Sequence, residues 1–325
     1  MEEVEDVNKL VFDIGGTNTK FALMSTDGNI LAREKVPTVY ASVDKYFDNM
    51  IRILMKYKHL GDEIAISTNG RMCMDGDTYR AYIMKLLQGI NLKKEMEART
   101  GFPVTVLNDG FSAALGEWWK GAGQGAGNLL VVVLGSGLGS GLVLNGKLYQ
   151  GSKLNAAMMF GMVSSCGGDK YDLTGLTTAF MLLQYQLSVV KRIPVEEMTG
   201  PKFFEFVAEG DPSAIGMLDQ YCESIAGAVF NSAMLLDLDG IVVTGGLSAQ
   251  DIIIEMINRK LQEIPRKVMQ GQSAAILEMA AFDLNDFQVQ VKKGELALDA
   301  NVYGALYYLL HRDEKANFST INFAG

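Results

Sequence analysis

Short apolar runs that end in glycine-rich turns recur along the chain. Residues 10–23 read LVFDIGGTNTKFAL, in which an apolar run ends at Asp13, passes through two glycines and resumes at Phe21. Two such runs around a glycine turn predict a β-hairpin. Glycines let backbone N–H groups approach an anion, and threonine hydroxyls can add donors. The turn therefore fits a phosphate site, although an ordinary glycine hairpin explains this one segment equally well.

The same pattern returns at residues 129–151, LLVVVLGSGLGSGLVLNGKLYQG. An apolar run enters a glycine-rich turn at Gly135, and a second run leaves it toward a further Asn-Gly turn. One pattern used twice suggests two similar subdomains that face one another, each with a phosphate-binding turn. A third glycine element, Gly245-Gly246, follows another apolar run. It suits close packing against a nucleotide base or ribose, or a simple strand-to-helix turn.

Helical periodicity alternates with short apolar runs through the rest of the chain. The patterns predict helices at residues 42–58, 92–99, 111–119, 177–190, 214–236, 249–262 and 300–310. They predict further strands at residues 63–67, 104–107 and 240–243. This alternation of strands and helices indicates an α/β fold.

The composition excludes several classes of protein. The chain has 325 residues, 48% hydrophobic and 21% charged, which is typical of a globular protein large enough for two domains. A net charge of -9 argues against a nucleic-acid partner, because neutralising phosphates needs a basic surface. The sequence has no apolar run long enough to span a membrane, and its N-terminus is acidic where a signal sequence is basic. With three widely spaced cysteines, we expect a cytoplasmic protein with free thiols and no membrane partner.

Two acids at strand ends are candidates for chemistry. Asp109 follows the predicted strand 104–107, and ligand sites in open α/β sheets collect at the carboxyl ends of strands. There Asn108 could hold a substrate hydroxyl while Asp109 accepts its proton, as phosphoryl transfer to an alcohol requires. A helix cap is the favoured role of Asp109 for this segment alone, and the glycine turns shift the balance toward catalysis. Asp13 could hold Mg²⁺ through water.

The ordered set of motifs resembles the ROK family (repressors, open reading frames and kinases). In chain order the matching segments are DIGGTNTK, LNDGFSAALGE, LGSGLGSGLVLNGKLYQGS, VVTGGLS and LDANVYGAL. The resemblance runs from about residue 10 to about residue 310. It implies the actin-like ATPase (ribonuclease H-like) fold, a duplicated α/β fold of two domains with a cleft between them. We expect a smaller domain of residues 8–115 plus 300–315 and a larger domain of residues 116–299.

The resemblance also implies a function. We expect a homodimeric enzyme that uses ATP and Mg²⁺ to phosphorylate a hexose or an N-acyl amino sugar in the cleft, with Asp109 as the general base. Asn108, Gly70 and Arg71 would contact the sugar, although an exposed salt bridge explains Arg71 equally well. The residues expected at the nucleotide and its metal are Asp13 (through water to Mg²⁺), Gly15, Gly16, Thr17, Asn18, Gly135, Ser136, Gly137, Gly139, Gly245 and Gly246.

Two departures from the family pattern bear on the function. ROK proteins of the zinc type carry a GExGH segment and a CxCGxxGCxE cluster, whereas residues 156–169 here read AAMMFGMVSSCGGD. Met158 or Met159 stands at the Glu position, which predicts an apolar, adaptable side of the sugar pocket. One cysteine, Cys166, and no histidine cannot close a zinc site, so we expect no structural zinc.

The departures leave an alternative open. Loss of the sugar-binding Glu would also suit a catalytically impaired sugar- or nucleotide-binding protein of the same fold. A DNA-binding repressor is not expected, because nine residues before the first strand leave no room for a helix-turn-helix.

Overall fold

Five strands form the first sheet of the computed structural model, which describes residues 7–72, 79–80, 85–167, 170–271, 274–280, 283–312 and 318–319. The strands of all the sheets, in chain order, are β1 (Asn8–Ile14), β2 (Asn18–Met24), β3 (Ile30–Pro37), β4 (Gly61–Thr68), β5 (Arg71–Met72), β6 (Tyr79–Arg80), β7 (Val104–Asn108), β8 (Leu129–Leu134), β9 (Leu138–Leu144), β10 (Lys147–Tyr149), β11 (Val163–Gly167), β12 (Lys170–Leu173), β13 (Gly240–Thr244), β14 (Lys292–Lys293) and β15 (Phe318–Ser319).

The helices lie between these strands. They are α1 (Val43–Tyr57), α2 (Leu92–Thr100), α3 (Asp109–Lys120), α4 (Thr174–Thr177), α5 (Phe180–Lys191), α6 (Gly200–Ala208), α7 (Pro212–Leu236), α8 (Asp251–Met269), α9 (Ala274–Met279) and α10 (Ala300–His311). Short 3₁₀ turns lie at Lys85–Leu87, Met159–Gly161, Gly246–Ala249, Leu284–Asp286 and Ala297–Asp299. Among the described residues, no helix is both long and apolar enough to cross a membrane.

The chain divides into two compact units. Unit 1 comprises Met1–Val131, Ser140–Ala157 and Gly294–Gly325, and unit 2 comprises Val132–Gly139 and Met158–Lys293. Unit 1 therefore extends further along the chain than the smaller domain expected from the sequence. It takes in all of α3 and the hairpin of β9 and β10, because α3 packs on α10 and on β10.

The first sheet belongs to unit 1 and has the order β3-β2-β1-β4-β7. β1, β2 and β3 are antiparallel neighbours, which confirms the predicted hairpin, while β4 and β7 continue the sheet in parallel. One face of β1 presents Phe12 to a core that includes α1 and α2. The opposite face presents Val11 to a core that includes α10. Since side chains alternate along a strand, Asp13 shares the face of Val11.

The second sheet has the order β14-β13-β8-β9-β10-β15. β9 and β10 are antiparallel, while β13 and β14 are parallel, as are β10 and β15. In unit 2, α7 packs on α8 and on the shorter helices α5 and α6. The α/β class expected from the sequence is confirmed.

Several helices of unit 2 differ from the prediction, among them α5 and α6. The helix expected at residues 177–190 begins later, at Phe180, and a separate short helix, α4, precedes it. The Thr178 hydroxyl and the Thr178 N–H both donate to the Thr174 carbonyl (2.6 and 2.9 Å) at the end of α4. α6 was not predicted, although its start carries a helix signal. The Thr199 side chain caps it by accepting from the Lys202 N–H, and a proline occupies the first turn.

α3 and α10 touch through their backbones. A Cβ atom built on Gly304 would lie 1.6 Å from the Ser112 carbonyl oxygen, and one built on Gly116 would lie 2.1 Å from the Ala300 carbonyl oxygen. Both distances are far below van der Waals contact, so glycine is required at both positions for the helices to approach this closely. This contact fixes the start of α10 against α3.

Replacing Gly304 with Ala should force α10 away from α3. We expect the G304A variant to lose about 2 kcal/mol or more of stability, seen as a lower thermal midpoint by circular dichroism. Gly216 of α7 is a matched control, because a Cβ there meets no atom within 4 Å. G216A should be neutral or stabilising by up to about 1 kcal/mol. Equal midpoints for G304A and wild type would contradict the close contact of the two helices.

Candidate active site

The glycine turn between β1 and β2 is held by the segment that follows β3. The Thr38 hydroxyl donates to the Gly15 carbonyl (2.9 Å), and the Tyr40 hydroxyl donates to the Gly16 carbonyl. The Thr38 N–H donates to the Thr17 carbonyl (3.0 Å). Three successive carbonyl groups are thus tied down on one side, which fixes the orientation of the peptide groups in the turn.

The N–H groups of the same turn are left open. Within the part of the chain that the structure describes, the Gly16 and Thr17 N–H groups donate to no protein atom, and both residues are exposed. Successive backbone N–H groups with fixed orientation form a concave site for an anion. The predicted phosphate-binding turn therefore has the donors that a phosphate requires.

Asp13 lies at the end of β1 with both carboxylate oxygens engaged. Its Oδ2 accepts from Lys20 Nζ (2.8 Å) and its Oδ1 accepts from Asn301 Nδ2 (2.9 Å). Its residue surface is 4% exposed. Lys20 was missed by the sequence reasoning, although the hairpin register pairs it with Asp13. Asn301 of α10 gave no local signal, because it lies far away in sequence.

Asn108 and Asp109 lie where β7 meets α3. Asn108 caps the helix, since its Oδ1 accepts from the Gly110 N–H (2.9 Å) and the Phe111 N–H (3.3 Å). Its Nδ2 donates to the Gly70 carbonyl (2.6 Å). The capping role weighed for Asp109 thus falls mainly to Asn108, whose side chain also hydrogen-bonds to the Asp109 carboxyl.

The Asp109 carboxyl is held in a setting that disfavours its charge. Its Oδ1 accepts from the Gly110 N–H (2.8 Å), and part of its surface stays open to solvent while protein atoms surround the rest. Burial, together with the smaller effect of the negative charge of Asp13, raises the pKa of Asp109 to about 7, against the opposing effect of hydrogen bonds from the backbone and from Asn108. A carboxyl that titrates near neutral pH is suited to accept a proton from a hydroxyl group.

The residues that follow the second glycine turn, Ser140 and Gly141, pack against the start of α3. A Cβ atom on Gly110 would lie 2.2 Å from the Ser140 carbonyl oxygen, and one on Gly141 would lie 2.2 Å from the Gly110 carbonyl oxygen. β9 therefore packs directly against the backbone beside Asp109. Gly141, which was not among the residues expected at the nucleotide, serves here to let strand and helix approach.

Glu117 of α3 was also missed by the sequence reasoning. Its side chain is fully buried and accepts from three backbone N–H groups, those of Ala122 (3.1 Å), Glu295 (3.2 Å) and Leu296 (3.3 Å). These bonds tie the segment before α10 to α3. Two residues further along the same segment, the Leu298 carbonyl accepts from Lys20 Nζ (2.8 Å).

The other expected nucleotide residues gather within unit 2. Gly245, at the end of β13, has φ = 96°. A Cβ atom there would lie 2.6 Å from the Leu134 carbonyl oxygen. Leu134 immediately precedes the glycine turn that holds Gly135, Ser136, Gly137 and Gly139. The two glycine elements thus meet at the ends of β8 and β13, and open space lies beside Gly135, Gly137 and Gly246.

The expected sugar contacts are described only in part. Gly70 has φ = 106°, and its carbonyl oxygen accepts a hydrogen bond from the Asn108 side-chain amide. The Arg71 side chain lies outside the described residues. Of the methionines at the family's Glu position, Met159 is buried and Met158 is half-buried. Met159 therefore packs in the interior of unit 2, and Met158 is the one with surface open to a ligand.

No group of three metal-binding side chains occurs among the described residues. The Cys166 side chain and all of Cys73 lie outside that part of the chain. Cys222 is a free thiol, and burial raises its pKa to about 12, so it stays protonated at neutral pH.

Comparison with known proteins identifies the class. The family model named "ROK family" matches residues 10–288, and the chain belongs to this family. A β-glucoside kinase from Listeria innocua is 26% identical over 94% of this chain and 98% of its own length. The resemblance inferred from the motifs is confirmed.

Solved structures agree on the fold. A ROK family glucokinase from Streptomyces griseus, in complex with glucose and AMPPNP, superimposes with a TM-score of 0.76 at 22% identity, covering 92% of this chain and 98% of the other. A ROK family transcriptional regulator, a homolog of the E. coli MLC protein, gives 0.73 at 20% identity, covering 93% and 77%. The actin-like ATPase fold is thus confirmed, and it is shared by kinases and regulators.

The raised pKa of Asp109 has a consequence for stability. Because the folded state binds the proton more tightly than the unfolded chain, wild-type stability should fall as pH rises from about 4 to about 7. The D109N variant lacks this loss. We expect its stability advantage over wild type to be larger at pH 8 than at pH 5 by about 1–2 kcal/mol, measured by urea unfolding.

The control is D48N, which replaces an exposed carboxylate on α1. Its stability difference from wild type should stay nearly constant between pH 5 and pH 8. A D109N advantage that does not grow with pH would show that Asp109 does not titrate near neutrality.

Proposed function

We propose that this protein transfers the γ-phosphoryl group of ATP to a hydroxyl group of a sugar, with Asp109 as the general base. The observation that carries the proposal is a carboxyl of near-neutral pKa at the start of α3, in the same unit as a glycine turn with two open backbone N–H groups. Membership of the ROK family and relatives named as sugar kinases support it. A protein that only binds ligands has no need of such a base.

The reaction would draw on Asp109 as follows. The carboxylate accepts the proton of the sugar hydroxyl as the hydroxyl oxygen bonds to the γ-phosphorus, and the bond to the ADP oxygen breaks. The proton then rests on Asp109 until it passes to solvent. A pKa near 7 suits both halves of this cycle, because the group is ionised often enough to accept a proton and releases it readily.

Asn108 would position the base and touch the acceptor. Its helix cap fixes the direction of α3, and its bond to the Gly70 carbonyl fixes the neighbouring loop. On the strength of the family resemblance, we assign its side-chain amide to a sugar oxygen. We assign Gly70 and Arg71 to the same side of the acceptor, on the strength of the family resemblance.

The open N–H groups of Gly16 and Thr17 would hold phosphate oxygens, with Gly15 and Asn18 closing the turn through a 3.0 Å backbone bond. In unit 2 we assign the phosphate-side role to Gly135, Ser136, Gly137 and Gly139, and the adenosine-side role to Gly245 and Gly246. Support comes from the open space beside Gly135, Gly137 and Gly246.

Magnesium fits Asp13 through a water molecule better than directly, because both carboxylate oxygens already accept from Lys20 and Asn301. When bound, Mg²⁺ would neutralise charge on the phosphates.

The acceptor proposed is a hexose, free or carrying an apolar substituent, or an N-acyl amino sugar. Met158 supplies a half-buried thioether where zinc-type relatives place a carboxylate, so that side of the site is less polar. A β-glucoside, the substrate class in the name of the Listeria relative, combines a hexose with such a substituent.

A catalytically impaired sugar- or nucleotide-binding protein is the second candidate. The missing carboxylate at Met158–Met159 favours it, and the regulator among the structural neighbours shows that the fold also serves in regulation.

A coupled ATP-consumption assay over glucose, mannose, fructose, allose, N-acetylglucosamine, N-acetylmannosamine and β-glucosides tests the proposal. We expect turnover on one or more of these sugars and a loss of at least 100-fold in kcat for D109N, since the base is removed. D48N should keep wild-type turnover. Retained turnover in D109N would overturn the assignment of the base. If the wild type binds ATP but consumes none with any sugar of the panel, the result would favour the binding protein.

The pH profile is a separate check on the base. We expect kcat/KM of the wild type to fall about tenfold for each pH unit below about 7, because protonated Asp109 cannot accept the hydroxyl proton. The measurement is the initial rate at low sugar concentration from pH 5 to pH 9. A profile that stays flat down to pH 5 would contradict the raised pKa.

A further inference from the structure

A cavity of about 290 Å³ lies within unit 2, between the helices α7 and α8 on one side and Met162, β11 and the start of α4 on the other. This volume is near the lower end of the range for small-molecule sites. None of the lining residues is among those assigned to ATP or to the sugar. The cavity therefore has room for a small ligand other than the two substrates.

An alternating chain of ion pairs runs along α7 and α8 beside the cavity. Its six members, in order, are Arg259, Asp219, Lys260, Glu223, Lys267 and Glu263. The three pairs that do not involve Glu223 measure 3.1, 2.5 and 3.0 Å. Glu223, in contrast, lies 3.7 Å from Lys260 Nζ and 3.8 Å from Lys267 Nζ. Both distances exceed that of a hydrogen bond, so the chain is open at Glu223, which lines the cavity together with the two lysines.

Lys260 has unused hydrogen-bond donors. The residue is 8% exposed, and in the described part of the chain its Nζ donates only to Asp219 Oδ2 (2.5 Å). Burial lowers the pKa of Lys260, but the bond to Asp219 and the charge of Glu223 outweigh burial, so the pKa is raised and the group stays charged. An ammonium group has three N–H donors, which leaves two for a ligand. A buried ammonium group is stabilised most by an acceptor that is itself charged, such as a carboxylate.

Glu223 offers the complementary acceptors. Its side chain is 57% exposed, and its carboxylate accepts no hydrogen bond from the residues that the structure describes. The ion-pair chain holds three positive and three negative charges, so a ligand without net charge preserves the balance. An α-amino acid meets these conditions, because it carries a carboxylate and an ammonium group within about 3.5 Å of one another. The separation of 3.7 Å between Lys260 Nζ and Glu223 Oε2 is comparable.

The rest of the cavity suits an apolar side chain. Met162, Val163 and Ile264 line it. Gly227 of α7 leaves open space there, because a Cβ atom built on it meets no atom within 4 Å. The opposite wall is fixed by the Thr174 N–H, which donates to the Met162 carbonyl (2.7 Å). The cavity is therefore formed before a ligand arrives, which lowers the cost of binding.

We propose that this cavity is a binding site for an α-amino acid with an apolar side chain. The carboxylate of the ligand accepts from Lys260 Nζ, its ammonium group donates to Glu223, and its side chain packs against Met162 and Ile264. The ligand is neither donor nor acceptor of the phosphoryl group, so the site goes beyond the proposed function.

Titration of the full-length protein with amino acids and matched analogues tests the site. The probes are leucine, valine and methionine. The analogues are N-acetylleucine, which lacks the ammonium charge, leucinamide, which lacks the carboxylate, and sorbitol, which lacks both. By isothermal titration calorimetry without ATP or sugar, at least one amino acid should have a Kd at least tenfold below that of every analogue, because each of its charged groups makes a charge-assisted hydrogen bond.

Two variants remove one charged partner each. K260M and E223Q should each weaken binding of that amino acid at least tenfold. K202M and E205Q are the matched controls, because Lys202 and Glu205 form an ion pair (2.7 Å) on α6 and do not line the cavity. Both controls should keep the Kd within twofold of wild type. Equal losses in K260M and K202M would reduce the effect to general electrostatics and overturn the proposal.

A steric variant tests the site without removing a charge. G227L places a side chain in the open space of the cavity and should abolish binding of the amino acid, while Lys260 and Glu223 remain. G216L is its control, because Gly216 lies on the same helix, also has no atom within 4 Å of a built Cβ, and does not line the cavity. Thermal unfolding of each variant shows whether it is folded, and K260M and E223Q test the site if G227L is not.

Three further outcomes overturn the proposal: no binding of any of the three amino acids up to about 10 mM, analogues that bind as tightly as the amino acids, or an unchanged Kd in folded G227L. Sorbitol that binds more tightly than the amino acids would show a site for hydroxyl groups instead. Because no measurement uses ATP or a sugar, failure of the proposed kinase activity and failure of this site are distinguished.

Discussion

The backbone contact between α3 and α10 is the constraint on which the polar groups of unit 1 depend. With glycine at 116 and 304, nothing larger than hydrogen separates the two helices. The start of α3 carries Asp109, and the start of α10 carries Asn301, which holds Asp13. A wider separation would move Asn301 off the Asp13 carboxylate and shift Asp109 relative to β1. The candidate site is therefore positioned by main-chain packing, which tolerates far less adjustment than side-chain packing.

The carboxyl groups of Asp13 and Asp109 lie in different surroundings. Asp13 has a cation and an amide as partners, so its charge is compensated within the protein. Asp109 has the N–H groups at the start of its own helix and feels the charge of Asp13, and burial raises its pKa to about 7. Two acids in one unit are thus divided between a charge that has partners and a carboxyl that resists ionisation. Their environments make this division, since the side chains are identical.

The sequence predicts what depends on local pattern. The hairpin around Gly15, the strand that delivers Asp109 and the long helix at 214–236 follow from period and turn chemistry, and the ordered motifs identify the family. It does not predict the partners that only the tertiary fold supplies, such as Asn301 on Asp13 or the three N–H groups on Glu117. The burial of Met159 could not be predicted from the sequence either. Met159 lies in a single 3₁₀ turn, which is too short to show a periodic hydrophobic pattern.

The tie between Glu117 and the segment before α10 has a consequence for biosynthesis. The strands β1 to β7 of unit 1 leave the ribosome before any of unit 2, yet their sheet is covered on one face by α10, which follows unit 2 in the chain. Glu117 cannot find two of its three backbone donors until residues 295–296 have been made. The first sheet of unit 1 therefore stays incomplete, with the Val11 face of β1 uncovered, until all of unit 2 has been synthesised. At ordinary translation rates this lasts on the order of ten seconds or more, during which that apolar face is open to a chaperone.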